Sequence, residues 1–364
     1  MTQPAAAQSA PASAPASAPA SASAPASAPP SAPAPAASAA AAAGASAPHA
    51  ASSTERGHFD LTRTDIQQFI DQAVASGLPR AQVVATLAAA EAQPQIIDAM
   101  SHPLEKTLEW WEYRGRLVTP ERIAGGVQLW REHKELLDQI ATEYQVPPEY
   151  LVGLLGIETR YGRTTGRYRV LDALTTLAFD YPPRSSYFRK ELTDFLLLAQ
   201  EDRLDPLSVR GSYAGAMGAL QFMPSSYRHY AVSEQHAGHR DLWNNWGDIF
   251  ASIANYLHEA GWQYDGPVLA EAQLRPGPAP TLVGKMRGET LASLRADGLT
   301  IATDLPDDTP AILLAAGEPA GMGYRVGFHN FYVLTRYNTS PLYAMAVYDL
   351  AQAIRRQVVQ EATL

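Results

Sequence analysis

Glu158 is the side chain of this 364-residue sequence best placed to move a proton. Leu151, Leu154 and Leu155 lie seven, four and three positions before it, so all four residues share one face if the segment is helical. The carboxyl group then ends an apolar, core-facing stripe near a helix C-terminus. Burial disfavours its ionised form, and the negative end of the helix dipole does the same. Both push the pKa upward, as a general acid working at neutral pH requires. The same residues also allow a plainer reading, a frayed helix end with Glu158 turned toward Arg160 or Arg163 in a surface ion pair.

Two neighbouring stretches bear on that choice. Glu158-Thr159-Arg160-Tyr161-Gly162 follows directly, and Gly211 to Pro224 is a run of Gly and Ala broken by Ser212, Tyr213 and Gln221. Small residues let backbones approach closely while a few polar groups remain presented, an arrangement suited to a carbohydrate cleft. A tight helix crossing with Gln221 as a cap would use the same composition.

These residues need elements to hold them. Pro147-Pro148 opens a helix through Ile157, and Gly162 closes its neighbourhood. Upstream, Thr64-Asp65-Ile66-Gln67 spells a capping box, Ile66, Phe69, Ile70, Ala73 and Val74 follow helical spacing, and Gly77 is a stop. Leu78–Ala92 and Pro94–Met100 read as short helices and Val127–Tyr144 as a longer amphipathic one. Further helices are expected over Tyr187–Gln200, Asp248–Ala260 and Leu342–Val359. The stretch from Pro267 to Pro319 is rich in Pro, Gly and Asp. It leads to strand-like runs at Ala311–Ala316, Tyr324–Phe328 and Phe331–Thr335.

Composition narrows the function classes. Net charge is −9, and the first charged side chain is Glu55, so the acidity sits in the remainder of the chain. That argues against nucleic acid or an anionic membrane as a nonspecific partner. With no cysteine there is no disulfide, thiolate metal site or cysteine nucleophile. No apolar run approaches the ~18 residues of a membrane span. Residues 1–54 are almost all Ala, Pro and Ser, composition expected to be disordered and to serve as a tether. Met1–Ala10 has neither the basic nor the apolar region of an export signal, so either the true start lies upstream and this stretch is the linker after a signal, or the protein is not exported by that route.

From about His58 to Ala353 the chain resembles the lytic transglycosylase B family of bacterial murein-cleaving enzymes. The blocks that carry the resemblance are Gly156–Gly162, Leu171–Pro182, Gly211–Tyr227, Ser252–Leu257 and Asn330–Asn338, in that order. The resemblance implies a mainly α (α+β) fold. Residues 1–54 would be the tail, 55–125 an N-terminal helical region and 126–266 a lysozyme-like helical catalytic core. A small β-containing insertion would occupy 267–335, and a C-terminal helix, 336–364, would pack back on the core. It also implies cleavage of the β-1,4 bond between N-acetylmuramic acid and N-acetylglucosamine with one carboxylate, Glu158, acting first as acid and then as base on the muramoyl C6 hydroxyl. The product is a 1,6-anhydro ring, made with no cofactor and no metal.

By matching position, Ser212 would orient Glu158 or contact an N-acetyl group, and Gln221 would hydrogen-bond the sugar near the scissile bond. Tyr113, Tyr256, Tyr337 and Tyr343 would line the groove with Asn338 beside them, although tyrosines at helical spacing also serve simply as core. The implied partner is peptidoglycan glycan strands, with cell-wall synthesis or divisome proteins as further candidates, no nucleic acid, and a monomeric chain. The implied location is the periplasm, with the chain soluble or tethered by its tail. A glycan-binding scaffold and a hydrolytic muramidase are the alternatives.

Two departures from the family pattern stand out. Where many members carry two arginines suited to muropeptide carboxylates, this chain has Pro183-Arg184, leaving Arg184 alone. Where members often have an Asp-rich calcium loop, this chain reads Ser233-Glu234-Gln235-His236-Ala237-Gly238-His239, with Asp248 beyond. Calcium takes about 6–8 oxygen ligands, too many for this set, so no calcium site is expected. His229, His236 and His239 lack a thiolate or carboxylate framework for zinc and read as a solvated loop.

Overall fold

A computed structural model describes residues 57–101, 108–235, 238–284 and 288–362. The tail over 1–54 and His236 lie outside the described residues. Three helices open the described chain: α1 (Thr64–Ala75), α2 (Arg80–Ala88) and α3 (Pro94–Ser101). In α1 the expected residues Ile66, Phe69, Ile70 and Ala73 are buried. The capping box is not formed. Thr64 lies inside the helix, and Arg63 precedes it without a side-chain cap. Arg63 instead pairs with Asp65 at 3.0 Å and Asp180 at 2.8 Å, and donates to Phe179 O. The helix start is thus tied by an ion pair to Asp180, 117 positions along the chain, with no side-chain cap.

The single helix expected over Val127–Tyr144 is two helices. After α4 (Trp110–Leu117) come α5 (Pro120–Glu132) and α6 (Lys134–Tyr144), broken at His133. The His133 ring packs on Trp246 and Phe250 at centroid distances of 5.2 and 5.7 Å, contacts to a distant helix that no local pattern encodes. Next is α7 (Pro148–Thr159), which starts with Pro at its first position and is buried from Glu149 to Thr159. It is central rather than amphipathic.

The second half contains β1 (Tyr168–Arg169), α8 (Val170–Asp180), α9 (Ser185–Glu201), β2 (Arg210–Gly211), α10 (Pro224–Tyr230) and α11 (Trp246–Glu259). β1 and β2 form a short antiparallel ladder, Tyr168 opposite Gly211. Between α9 and α10, the fully buried Glu191 carboxylate accepts from Ser225 N at 2.9 Å and Ser225 Oγ at 2.7 Å, anchoring the first turn of α10. Burial pushes the Glu191 carboxyl up, opposed by the two Ser225 bonds. Because its folded pKa is raised, the folded state holds its proton to higher pH than the unfolded state. Stability therefore falls as pH rises from the ordinary glutamate range through the raised value. Glu191→Gln should remove that slope, which thermal unfolding midpoints of both proteins across pH 4 to 8 would read; parallel curves would refute it.

The chain then leaves for a four-stranded antiparallel sheet of order β4-β3-β6-β5. Its strands are β3 (Leu269–Leu274), β4 (Leu299–Ile301), β5 (Ile312–Glu318) and β6 (Gly321–Gly327), with helix α12 (Leu291–Ala296) against it. Leu291, Leu294, Leu299, Leu313 and Val326 form a small separate core there. The strand expected over Phe331–Thr335 is instead part of α13 (His329–Tyr337), followed by the long α14 (Pro341–Ala362). Phe331, Val333, Leu334 and Thr335 are all buried, so the alternation read as a strand is a helix enclosed on most sides. Asn330 fixes its start. The side chain donates to Gln263 O at 2.7 Å and Gly266 O at 2.9 Å and accepts from Gln263 N at 2.9 Å.

Two devices set α14 against the rest. Gly153 and Gly156 let it lie close on α7, since a Cβ at Gly153 would meet Ala351 at 3.0 Å. Arg325 of β6 reaches Asp349 at 2.9 Å and lies 5.2 Å from the Trp110 ring of α4, while Arg114 Nε donates to Asp349 at 2.6 Å. No helix of the described residues is long and apolar enough to cross a membrane.

Candidate active site

Glu158 sits in the last turn of α7 with only 4% of its surface exposed, above the fully buried Leu151, Leu154 and Leu155. It is therefore no frayed end turned to solvent. Beyond it Arg160, Tyr161 and Gly162 are all left-handed, with φ of 50°, 63° and 78°, and reverse the chain within three residues. The turn is bolted to the Gly/Ala block. Thr159 Oγ1 donates to Ala219 O at 2.8 Å and accepts from Gly162 N at 2.9 Å. Thr159 was missed in the sequence, where only its place beside Glu158 could have drawn notice.

The partner of Glu158 comes from α14: Tyr343 Oη donates to Glu158 Oε1. Both groups are buried, so the bond replaces the solvation the carboxylate has lost. Burial, and then the charge of Glu158, hold the Tyr343 and Tyr337 hydroxyls well above the usual tyrosine range. Tyr113 of α4, 2% exposed, is near enough to Tyr343 to add to that rise. A row of rings leads away from the carboxylate. Tyr343 and Tyr337 are parallel at 6.4 Å, and Tyr337 meets Tyr256 edge-on at 4.9 Å. Phe222, inside the quoted block but not singled out, touches both Tyr256 and Tyr337 at under 6 Å. The hydroxyls of Tyr337 and Tyr256 donate to the carbonyls of Leu220 and Arg336. These tyrosines thus have their protons committed to the protein, and their rings are buried, Tyr343 at 0%, Tyr256 at 4% and Tyr337 at 7% exposure.

Ser212 and Gln221 are built into the loop between β2 and α10. Ser212 Oγ accepts from Ala214 N at 3.2 Å and Ala216 N at 3.1 Å, which leaves its O–H to donate. Gln221, left-handed at φ 51°, donates Nε2 to Thr165 O at 2.9 Å and Gly218 O at 3.1 Å. Its Oε1 remains as an acceptor for a sugar hydroxyl or amide. Asn338 closes α13 and accepts from Ser340 N at 3.0 Å, so part of its task is to shape the step into α14. Arg184 stands apart, its guanidinium over the rings of Tyr187 at 4.4 Å and Phe188 at 5.3 Å.

Other buried carboxylates are committed elsewhere. Asp172 pairs with Arg169, Asp202 with Arg240 and Asp349 with Arg325. Asp248, at the far end of the loop considered for calcium, accepts from Glu234 N and Asp241 N, both at 2.9 Å. Each oxygen of Asp248 thus already accepts one peptide N–H and helps to hold this loop. His229 lies 3.5 Å from Glu259 and against the Tyr230 ring.

Tyr343→Phe should lower kcat by roughly tenfold or more with a smaller change in KM, because it strips a hydrogen bond from a buried carboxylate. Turnover of soluble glycan strands by both proteins would read it, and unchanged kcat would show the contact to be packing only.

Residues 62–352 match the transglycosylase SLT domain. The chain is 40% identical over 305 residues to the membrane-bound lytic murein transglycosylase B of Escherichia coli, covering 81% of this chain and 83% of that one. The catenated lytic transglycosylase SltB1 of Pseudomonas aeruginosa superposes with a TM-score of 0.78 at 42% identity, covering 81% of this chain and 98% of that one. SltB3 of Pseudomonas aeruginosa, solved in complex with NAG-NAM-pentapeptide, gives a TM-score of 0.72 at 29% identity, covering 79% and 78%. With the family match spanning the same helices that assemble Glu158, Tyr343 and the tyrosine row, the chain belongs to the lytic transglycosylase B family.

Proposed function

We propose that this chain cuts the β-1,4 bond between N-acetylmuramic acid and N-acetylglucosamine in peptidoglycan, with Glu158 as both acid and base. Glu158 first gives its proton to the leaving glycosidic oxygen. The oxocarbenium-like centre is stabilised by the sugar's own N-acetyl carbonyl. Glu158 then takes the proton of the muramoyl C6 hydroxyl as that oxygen attacks C1, closing the 1,6-anhydro ring. The carrying observation is a buried glutamate bonded to a buried tyrosine at the head of an aromatic row, with other buried carboxylates held by their own partners. A glycosidase using two carboxylates would need a second one about 5–9.5 Å from the first.

Ser212 and Gln221 are read as contacts to the N-acetyl group and the sugar near the cut, and the tyrosine row as the groove wall. Arg184 is read as a contact to the peptide stem at a more distant point. The protein is read as periplasmic, where such a substrate lies, with cell-wall synthesis proteins as candidate partners. Mass spectrometry of sacculi digested with the protein tests the reading. Products ending in 1,6-anhydromuramic acid are expected. Reducing-end muramic acid would make it a hydrolase, and bound but uncut sacculi a wall-binding scaffold.

A further inference from the structure

The aromatic row continues past Tyr256. The half-buried ring of Tyr230, at the end of α10, meets Tyr256 edge-on at 4.5 Å. On the other side Tyr256 Oη donates to Arg336 O at 2.7 Å, in the last turn of α13. Arg336 is itself half-buried, yet its guanidinium forms no ion pair and no hydrogen bond with any described residue. Most half-buried arginines differ: 63, 169, 189, 228, 240, 295 and 325 each hold a carboxylate, and Arg184, the other without one among the described residues, lies over the Tyr187 and Phe188 rings.

The charge of Arg336 is directed at the tyrosine row. Burial raises the Tyr230 and Tyr256 hydroxyls, and Arg336 opposes that rise at both. One helical turn back on the same face stands Tyr332, 47% exposed. An unpaired guanidinium close enough to Tyr230 and Tyr256 to act on both hydroxyls, with Tyr332 one turn away, offers a planar fork for a carboxylate.

We propose that Arg336 binds a carboxylate of the peptidoglycan strand, at a subsite flanked by Tyr230 and Tyr332 and continuous with the tyrosine row that starts at Glu158. The inference rests on the transglycosylase reading. Two carboxylates fit the chemistry: one on the peptide stem, and the lactyl carboxylate set free when an amidase removes the stem.

The test is calorimetric binding in the Glu158→Gln background, where turnover does not intervene. The probes are stem-bearing glycan strands, the same strands after amidase treatment, and an N-acetylglucosamine oligomer, which has no carboxylate. Arg336→Gln should weaken a carboxylate-bearing probe on the order of tenfold relative to the oligomer. Arg336→Lys should recover part of that loss by keeping the charge without the fork. Weakening of stem-bearing strands assigns the stem carboxylate, and weakening confined to stripped strands assigns the lactyl group. Equal weakening of all three probes would overturn the proposal, leaving Arg336 as a charge at a helix end. So would no weakening of any. Absence of cleavage by the unsubstituted chain would defeat the transglycosylase reading, a separate result on which the binding ratio does not depend.

Discussion

Glu158→Gln is expected to end the release of 1,6-anhydromuramoyl products, with turnover falling on the order of a thousandfold or more, since one residue supplies both proton transfers. Glutamine keeps the shape of the side chain and an oxygen to accept from Tyr343, so the fold of the site is preserved. What it lacks is a transferable proton. The variant should also melt no lower than the parent, because an amide is less costly to bury than a carboxylate that is 4% exposed. Product analysis and thermal unfolding run together separate the two effects. A variant that still forms anhydro products at the parental rate would remove Glu158 from the mechanism, and one that fails to fold would show the carboxylate to be chiefly structural.

Gly166→Ala should be the most damaging single methyl group near the site. Gly166 has φ +108°, and a Cβ there would fall onto the carbonyl of Gly211 and within 2.5 Å of Ser212 N. Left-handed strain alone costs about 1–3 kcal/mol at a non-glycine residue. Here the obstruction is backbone, so the β1–β2 ladder and Ser212 must shift as well. Gly77 provides the control, with φ +100° and nothing within 4 Å of a Cβ. Denaturant unfolding should show Gly166→Ala less stable than Gly77→Ala, and activity should fall only for the former. Equal losses in both would mean that strain, and not the approach to Gly211, decides the outcome.

Local pattern carried the reading where the spacing of apolar residues marks a shared helix face. The spacing of Ile66, Phe69, Ile70 and Ala73 identifies α1, and Leu151, Leu154 and Leu155 identify the face on which Glu158 lies. It failed where a distant contact decides. The break at His133 depends on Trp246 and Phe250, and the helix over Phe331–Thr335 on burial around most of its girth. The site divides in the same way. Glu158 was legible from its own helix, whereas its bond to Tyr343 spans 185 positions and could be placed near it only through the family pattern. Thr159, Gly166 and Phe222 act through contacts to loops and rings far along the chain, for which no local spacing exists.

The sheet leaves the helical body and returns to it through a single point. Leu269 at the start of β3 faces Gly327 at the end of β6, and Phe328 N donates to Val268 O at 3.0 Å. Exit and re-entry are therefore neighbours in one ladder, and the separation between them does not depend on how much chain lies in between. Residues can be added to or taken from the connections around β4 and α12 without pulling on α11 or α13, since closing a longer loop costs only slowly more. Only those connections are free in this way, because β5 puts Ile312, Leu314 and Ala316 into the main core and β6 holds Asp349 of α14 through Arg325.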